Sequence, residues 1–270
     1  MIYFDNAATT FPKPPAVIAE TAHCMREYCG NPGRGAHRMA LRAAEAVYRC
    51  REAAAELFSA PGAENVVFTL NTTYALNTAI KSVVRPGDHV LVSNMEHNAV
   101  MRPLYKLVRE NGVCFDTFDL RRTPREILSE ISAKVRAATR AVVCVHASNI
   151  CGITAPVAEI GAFCRARGLC FLLDGAQSAG VLPIDMQAMQ IDILCVPGHK
   201  GLYGPQGSGM MIFGDAEWRA GATLVEGGSG SNSLARTMPE DTPERFEAGT
   251  LPTPQIVGLG EGIRFVQRIG

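Results

Sequence analysis

Short apolar runs alternate with helical segments along this chain of 270 residues. The runs 141–146, 169–173 and 191–196 are almost entirely apolar, which is typical of strands buried on both faces of a sheet. Helical patterns lie at residues 124–136, before the first of these runs, and at 156–167, between the first and the second. Because strands separated by helices usually pair in parallel, the sequence predicts an α/β fold, a mainly parallel sheet with helices on both faces.

The remaining segments continue this alternation. Residues 209–213 predict one more strand, which can pair antiparallel with its neighbour. Ligands of such sheets bind beyond the carboxyl ends of the strands, so polar side chains at strand exits are the candidates for a functional site. The other predicted elements are helices at 37–58, 73–84 and 99–111, and strands at 66–70, 89–93 and 113–118.

The composition excludes several classes of protein. The formal net charge is zero, without a long basic or acidic run, so we expect neither nucleic acid nor an anionic membrane as a partner. Residues 1–5 lack the basic start of a signal peptide. No run of about 18 uninterrupted apolar residues predicts a membrane span. Hydrophobic residues make up 47% of the chain, enough for the core of a large globular domain.

The nine cysteines are scattered, and no two form a CxxC pair. This spacing argues against a zinc ribbon or a thioredoxin-type motif, and we expect no metal site. Several thiols lie inside apolar runs, where cysteine behaves as a small core residue. We therefore expect reduced thiols and a cytoplasmic protein.

Two strand exits carry residues that could take part in catalysis. Lys200 lies in a glycine-rich loop directly after the run 191–196, and Asp174 ends the run 169–173. Taken singly, such a lysine is usually solvated and such an aspartate usually caps a turn. Together, they are what a pyridoxal phosphate (PLP) site needs, because the lysine forms the Schiff base and the acid keeps the pyridine nitrogen protonated.

The chain resembles the class V, fold-type I, PLP-dependent enzymes, most closely their cysteine desulfurase and selenocysteine lyase branch. The similarity runs from the motif at 2–10 to Phe246–Thr250 and the helix after it. The resemblance implies a PLP-binding large domain over residues 1–250, whose segment 1–15 contributes to the active site and to the small-domain side. Residues 251–270 would begin a helix that links to a C-terminal domain absent from the chain.

The resemblance also assigns roles at the strand exits. Thr72 and Thr73 would hold the cofactor phosphate, where a helix N-terminus suits an anion, although a plain helix cap is the simpler reading of such residues. His97 would stack on the pyridine ring and assist proton transfer. Asn149 would lie beside the ring oxygen and the substrate carboxylate, and Gln177 would bond to the ring oxygen.

The remaining roles complete this inferred PLP site. By the resemblance, Asp174 holds the ring nitrogen, His199 contacts the phosphate and Lys200 carries the aldehyde. Thr250 would reach the phosphate of the neighbouring subunit, which implies a homodimer. Pro197 stands where relatives often have serine, which removes one hydroxyl from the phosphate site.

The implied reaction is that of a cysteine desulfurase. Lys200 would remove the Cα proton of L-cysteine, sulfur would pass to an enzyme cysteine as a persulfide, and alanine would leave. In the family, that cysteine and the arginine for the substrate carboxylate lie in the C-terminal domain, and no cysteine here matches; Cys151 lies nearest the predicted site. The persulfide sulfur would then pass to a sulfur-acceptor protein, as in iron–sulfur cluster assembly. A selenocysteine lyase, a transaminase, a β-eliminating lyase and a non-catalytic PLP-binding remnant remain alternatives.

Overall fold

The computed structural model describes residues 2–33, 35–231 and 234–269. Met1, the first residue of the predicted segment 1–250, and Gly270, the last residue of the predicted segment 251–270, lie outside the described residues. The centre of the structure is a single seven-stranded sheet. The strands are β1 (Val66–Thr69), β2 (His89–Ser93), β3 (Cys114–Phe118), β4 (Thr139–Val145), β5 (Cys170–Asp174), β6 (Ile193–Pro197) and β7 (Gly209–Phe213).

The helices of the described chain lie between these strands and at both ends. All but the first were predicted, with bounds that agree to within a few residues. The helices are α1 (Pro15–Glu27), α2 (Arg38–Leu57), α3 (Thr72–Val83), α4 (Asn98–Asn111), α5 (Pro124–Lys134), α6 (Val157–Arg165) and α7 (Thr253–Ile269).

The sheet is mainly parallel, as predicted. Its strand order is β1-β7-β6-β5-β4-β2-β3. Strand β7 pairs antiparallel with both β1 and β6, and the other neighbouring pairs are parallel. The prediction that residues 209–213 form an antiparallel strand is therefore confirmed. The carboxyl ends of β4, β5 and β6 lie side by side at one edge.

Both faces of the sheet are buried, which explains the continuous apolar runs. In β6, Ile193 and Cys195 join one hydrophobic cluster, whereas Leu194 and Val196 join the other. Helices α3 and α4 cover the first face, and α2, α5, α6 and α7 contribute to the second. Side chains that alternate along a strand point to opposite faces, so a strand covered on both faces, such as β6, must be apolar throughout.

Helix α7 packs closely on the loop that follows Lys200. A Cβ atom added to Gly262 would lie 2.1 Å from the carbonyl oxygen of Leu202, so only glycine permits this approach. Tyr203 of the same loop meets Phe265 edge to face, with 5.0 Å between the ring centroids. The helix expected in 251–270 is thus present and supports the lysine loop; that it links to a further domain stays a prediction.

Among the described residues, no helix combines the length and hydropathy needed to cross a bilayer.

Candidate active site

A cavity of about 430 Å³ opens at the carboxyl ends of β4, β5 and β6. It lies between these strand ends, the start of α3 and the N-terminal segment. The structure brings eight of the nine predicted site residues to its wall. They are Thr72, Thr73, His97, Asn149, Asp174, Gln177, His199 and Lys200.

Asp174 and Lys200 form the charged floor of this cavity. Asp174 is 2% exposed, and its Oδ1 accepts a hydrogen bond from the Ala176 backbone N–H at 2.9 Å. Burial raises the pKa of Asp174 to about 6, opposed by the Ala176 N–H and by the Lys200 charge. Burial also lowers the pKa of Lys200, opposed by Asp174. The site therefore holds a buried carboxylate beside an amine that loses its proton more easily than a solvated lysine.

The start of α3 provides an anion-binding corner. The first N–H groups of a helix have no partner within it and favour negative charge. The Thr72 hydroxyl is buried and has no hydrogen-bond partner in the described chain. Asn71 caps the helix by accepting from the Tyr74 N–H at 3.0 Å. Pro197 also lines the cavity but offers neither an N–H nor a hydroxyl.

These residues fit PLP. The corner at Thr72 matches a phosphate, the buried Asp174 carboxylate matches a pyridinium nitrogen, and Lys200 matches the aldehyde carbon. An orphaned buried hydroxyl is unfavourable unless a ligand satisfies it. No cluster of three or more His, Cys, Asp or Glu side chains able to hold a metal ion occurs in the described ranges.

His97 caps helix α4 with its ring. Its Nδ1 accepts a hydrogen bond from the Ala99 backbone N–H at 3.1 Å, so a neutral ring carries its proton on Nε2. Burial, followed by the charges of Lys200 and Arg102, lowers the pKa of His97. The ring thus lines the cavity as a neutral imidazole.

The N-terminal segment closes over the lysine loop. Thr10 N and Lys13 Nζ donate to the His199 carbonyl oxygen at 3.0 and 2.9 Å. The Thr10 hydroxyl donates to the Lys200 carbonyl oxygen at 2.5 Å, and Gln177 Nε2 donates to the Ala7 carbonyl oxygen at 3.2 Å. Sequence reasoning expected residues 1–15 near the site but did not single out Thr10 or Lys13, because their partners are distant backbone carbonyls.

Glu96 is a further residue that sequence reasoning missed. Its Oε1 accepts from the Ser93 hydroxyl at 2.5 Å and from the Val145 N–H at 2.6 Å, so it ties the exit of β2 to the end of β4. Its Oε2 is enclosed without a partner among the described residues. Burial raises the pKa of Glu96 to about 8, and the charge of Asp174 adds to this. Glu96 is therefore mostly protonated at neutral pH.

Replacing Glu96 with glutamine should flatten the pH dependence of stability. From about pH 4.5 to 8, unfolding releases the proton of Glu96, so the free energy of unfolding falls as the pH rises. A glutamine oxygen accepts the same two hydrogen bonds without titrating. We expect Glu96→Gln to match the wild type at pH 5 and to exceed it at pH 8 by roughly 2–4 kcal/mol, measured by urea unfolding.

The matched control for this comparison is Glu126→Gln. Glu126 forms a surface capping box with Thr123, and hydrogen bonds from Thr123 lower the pKa of its carboxyl. It is ionised in both states between pH 5 and 8, so this variant should leave the slope unchanged. Parallel stability curves for Glu96→Gln and the wild type would show that Glu96 is not protonated in the folded protein.

Thr250 does not line this cavity. It lies beside a second cavity of about 430 Å³, where Asn31 Nδ2 is 3.4 Å from its hydroxyl. The buried ion pair of Arg51 and Glu247 borders the same cavity. A role for Thr250 at the phosphate of a neighbouring subunit stays a prediction.

Cys151 does not line the active-site cavity either. It is exposed on the turn after Asn149. A hydrogen bond from the Ser148 side chain lowers the pKa of its thiol.

The sheet and its cavity place this chain among the PLP-dependent enzymes of fold type I. It belongs to the class V aminotransferase family, whose model, Aminotransferase class-V, matches residues 2–270. The predicted resemblance is thereby confirmed, and PLP is the cofactor of this family.

The relatives agree with this assignment. A probable cysteine desulfurase of Mycolicibacterium paratuberculosis is 33% identical over 281 residues, covering 100% of this chain and 40% of the relative. One of Methanothermobacter thermautotrophicus is 35% identical over 274 residues, covering 100% of this chain and 67% of the relative. The apo structure of cysteine desulfurase from Thermococcus onnurineus NA1 has a TM-score of 0.89 at 30% identity, covering 100% of this chain and 68% of that one. The chain thus spans only part of each relative.

Proposed function

We propose that the chain is the PLP-binding large domain of a cysteine desulfurase, an enzyme that converts L-cysteine to L-alanine and transfers the sulfur to an enzyme cysteine as a persulfide. The observation that carries this proposal is the pairing of Lys200 with the buried Asp174 in one cavity. Membership in a family whose similar members are named cysteine desulfurases supports the substrate.

Each side chain has a distinct task in this mechanism. Bound PLP supplies an aldehyde for amino groups and a ring that accepts the electron pair left at Cα. The Asp174 carboxylate holds a proton at the ring nitrogen. The Lys200 amine, whose pKa is lowered by burial, takes the Cα proton as general base. Thr72 and Thr73 would hold the phosphate end, and the neutral His97 ring would lie against the cofactor ring.

Asn149 and Gln177 set the polar side of the cavity. Asn149 sits in the turn after β4, where its amide can contact the ring oxygen and the substrate carboxylate. Gln177 already donates to the Ala7 carbonyl oxygen, so its amide is held near the N-terminal segment. Its remaining hydrogen-bonding capacity serves the ring oxygen.

The sulfur-accepting thiol lies elsewhere. No cysteine or arginine occurs among the described residues that line the cavity. We place the persulfide cysteine and the arginine for the substrate carboxylate outside this chain. Sulfur would then pass to an acceptor protein, as iron–sulfur cluster assembly requires.

The proposed assembly is a cytoplasmic homodimer. Thr250, beside its own cavity, would contact the phosphate in the partner's site. The nine cysteines are all free thiols, which supports a reducing compartment.

The proposed function is tested by incubating the chain with PLP and L-cysteine and following the cofactor spectrum and the formation of alanine. We expect PLP to bind, L-cysteine to shift the visible absorption of the cofactor, and alanine to form only slowly because the sulfur-accepting thiol is missing. D-cysteine should give no alanine, because a single fixed amine placed to take the Cα proton of the L-enantiomer is misplaced for that of the D-enantiomer. Alanine is measured by mass spectrometry with dithiothreitol present to remove sulfur.

Other products would identify the alternatives. Pyruvate and ammonia from L-cysteine would indicate β-elimination, and turnover of L-selenocysteine alone would indicate a selenocysteine lyase. If the absorption spectrum of bound PLP did not change on addition of L-cysteine, the proposal that L-cysteine is the substrate would be contradicted.

A further inference from the structure

His199 must donate a hydrogen bond to serve an anion, and its protonation decides whether it can. Burial lowers the pKa of His199, and the nearby charges of Lys200 and Lys13 lower it further. The imidazole is therefore neutral around pH 7 and has a single N–H. Which ring nitrogen carries that hydrogen determines what the ring offers to the cavity.

The Nδ1 atom of His199 has one defined partner. It lies 3.1 Å from the Thr9 hydroxyl oxygen. The same hydroxyl lies 3.2 Å from the His199 carbonyl oxygen. A hydroxyl has one hydrogen, so Thr9 can donate either to the carbonyl or to Nδ1, but not to both.

The carbonyl oxygen of His199 is already saturated. Thr10 N donates to it at 3.0 Å and Lys13 Nζ at 2.9 Å, both shorter than the contact with Thr9. Two donors occupy the two lone pairs of a carbonyl oxygen. The hydrogen of Thr9 is therefore directed to Nδ1, which must be the unprotonated ring nitrogen.

We propose that Thr9 is a positioning residue that selects the Nε2–H tautomer of His199 and so makes this ring a hydrogen-bond donor to the anionic group of the ligand. Without the Thr9 hydroxyl, the hydrogen can move to Nδ1, and Nε2 then faces an anion with a lone pair. The ligand part of the inference rests on the proposed PLP function, whereas the tautomer does not.

The experiment compares Thr9→Val with Thr9→Ser. Valine keeps the shape of threonine without its hydroxyl, and serine keeps the hydroxyl. We expect ¹⁵N NMR of the histidine-labelled, ligand-free chain to show an unprotonated Nδ1 in wild type and Thr9→Ser, and a protonated Nδ1 population in Thr9→Val. His97 is the internal reference, because its Nδ1 accepts from the Ala99 backbone N–H.

The second readout is the affinity for PLP, measured by absorbance titration. The dissociation constant should rise about tenfold in Thr9→Val and stay within about twofold in Thr9→Ser. A protonated Nδ1 in the wild type, or an unchanged tautomer and affinity in Thr9→Val, would overturn the inference. If the wild type bound no PLP, the ligand role and the proposed cofactor site would both fail, while the NMR result would still decide the tautomer.

Discussion

Replacing Lys200 with alanine is expected to abolish covalent capture of PLP. The Lys200 amine opens into the cavity beside Asp174, and its lowered pKa increases the neutral fraction that can attack an aldehyde. Borohydride reduction of the PLP-loaded wild type should fix a pyridoxyl group on the tryptic peptide that contains Lys200, detected by mass spectrometry. The Lys200→Ala chain should carry none, and any L-cysteine turnover should fall about 10³-fold.

Lys13 provides a demanding control for this assignment. Burial lowers its pKa to about 8, so it is the other reactive amine near the loop. Its Nζ is bonded to the His199 carbonyl oxygen, and it does not line the cavity. Lys13→Met should therefore keep the adduct on Lys200. An adduct that persists in Lys200→Ala at Lys13 would show that the site was assigned to the wrong amine.

The sequence predicted most of the sheet because burial on both faces leaves a simple pattern. A strand such as β6 must be apolar at every position, and a polar residue at its end is then conspicuous. Asp174 and Lys200 were found in this way. Helix α1 was missed because it packs against α7, which lies more than 200 positions further along the chain. No local sequence pattern indicates that contact.

The residues that hold the catalytic side chains in place were harder to predict than the catalytic side chains themselves. Glu96 stands beside His97 in the same motif, yet only the fold shows that its carboxyl meets Val145. Thr9 and Thr10 look like ordinary polar residues, and the groups they contact, the His199 ring and the Lys200 carbonyl oxygen, lie 190 positions away. Backbone carbonyls carry no sequence signature, so contacts of this kind become visible only in the structure.

Breaking the buried ion pair of Arg51 and Glu247 is expected to have the largest effect on stability. The guanidinium donates to both carboxylate oxygens, at 2.9 and 2.6 Å, and the side chains are only 8% and 5% exposed. Glu247 also accepts from the Phe68 N–H at 2.6 Å, so the pair joins α2 to β1. Arg51→Met leaves an uncompensated buried carboxylate and should reduce the free energy of unfolding by about 3–5 kcal/mol.

An exposed ion pair on the same helix, α2, gives the matched control. Arg49 and Glu45 lie on α2 with side chains 66% and 61% exposed, so Arg49→Met should change the unfolding free energy by at most about 0.5 kcal/mol in urea titrations. The double variant Arg51→Met/Glu247→Leu should recover much of the loss, because it removes both charges. Equal losses for Arg51→Met and Arg49→Met would contradict a desolvated pair.

The same pair also positions the residue proposed to act across the dimer. Glu247 is held by Arg51 and by β1, and Thr250 follows three positions later, after Gly249 at φ +95°. The loop that carries Thr250 is thus anchored at its start to the core of the sheet. If Thr250 contacts the partner's phosphate, Arg51→Met should weaken PLP retention even at temperatures where the chain stays folded, and Arg49→Met should not. PLP retention that tracks only the folded fraction would confine Arg51 to a role in stability.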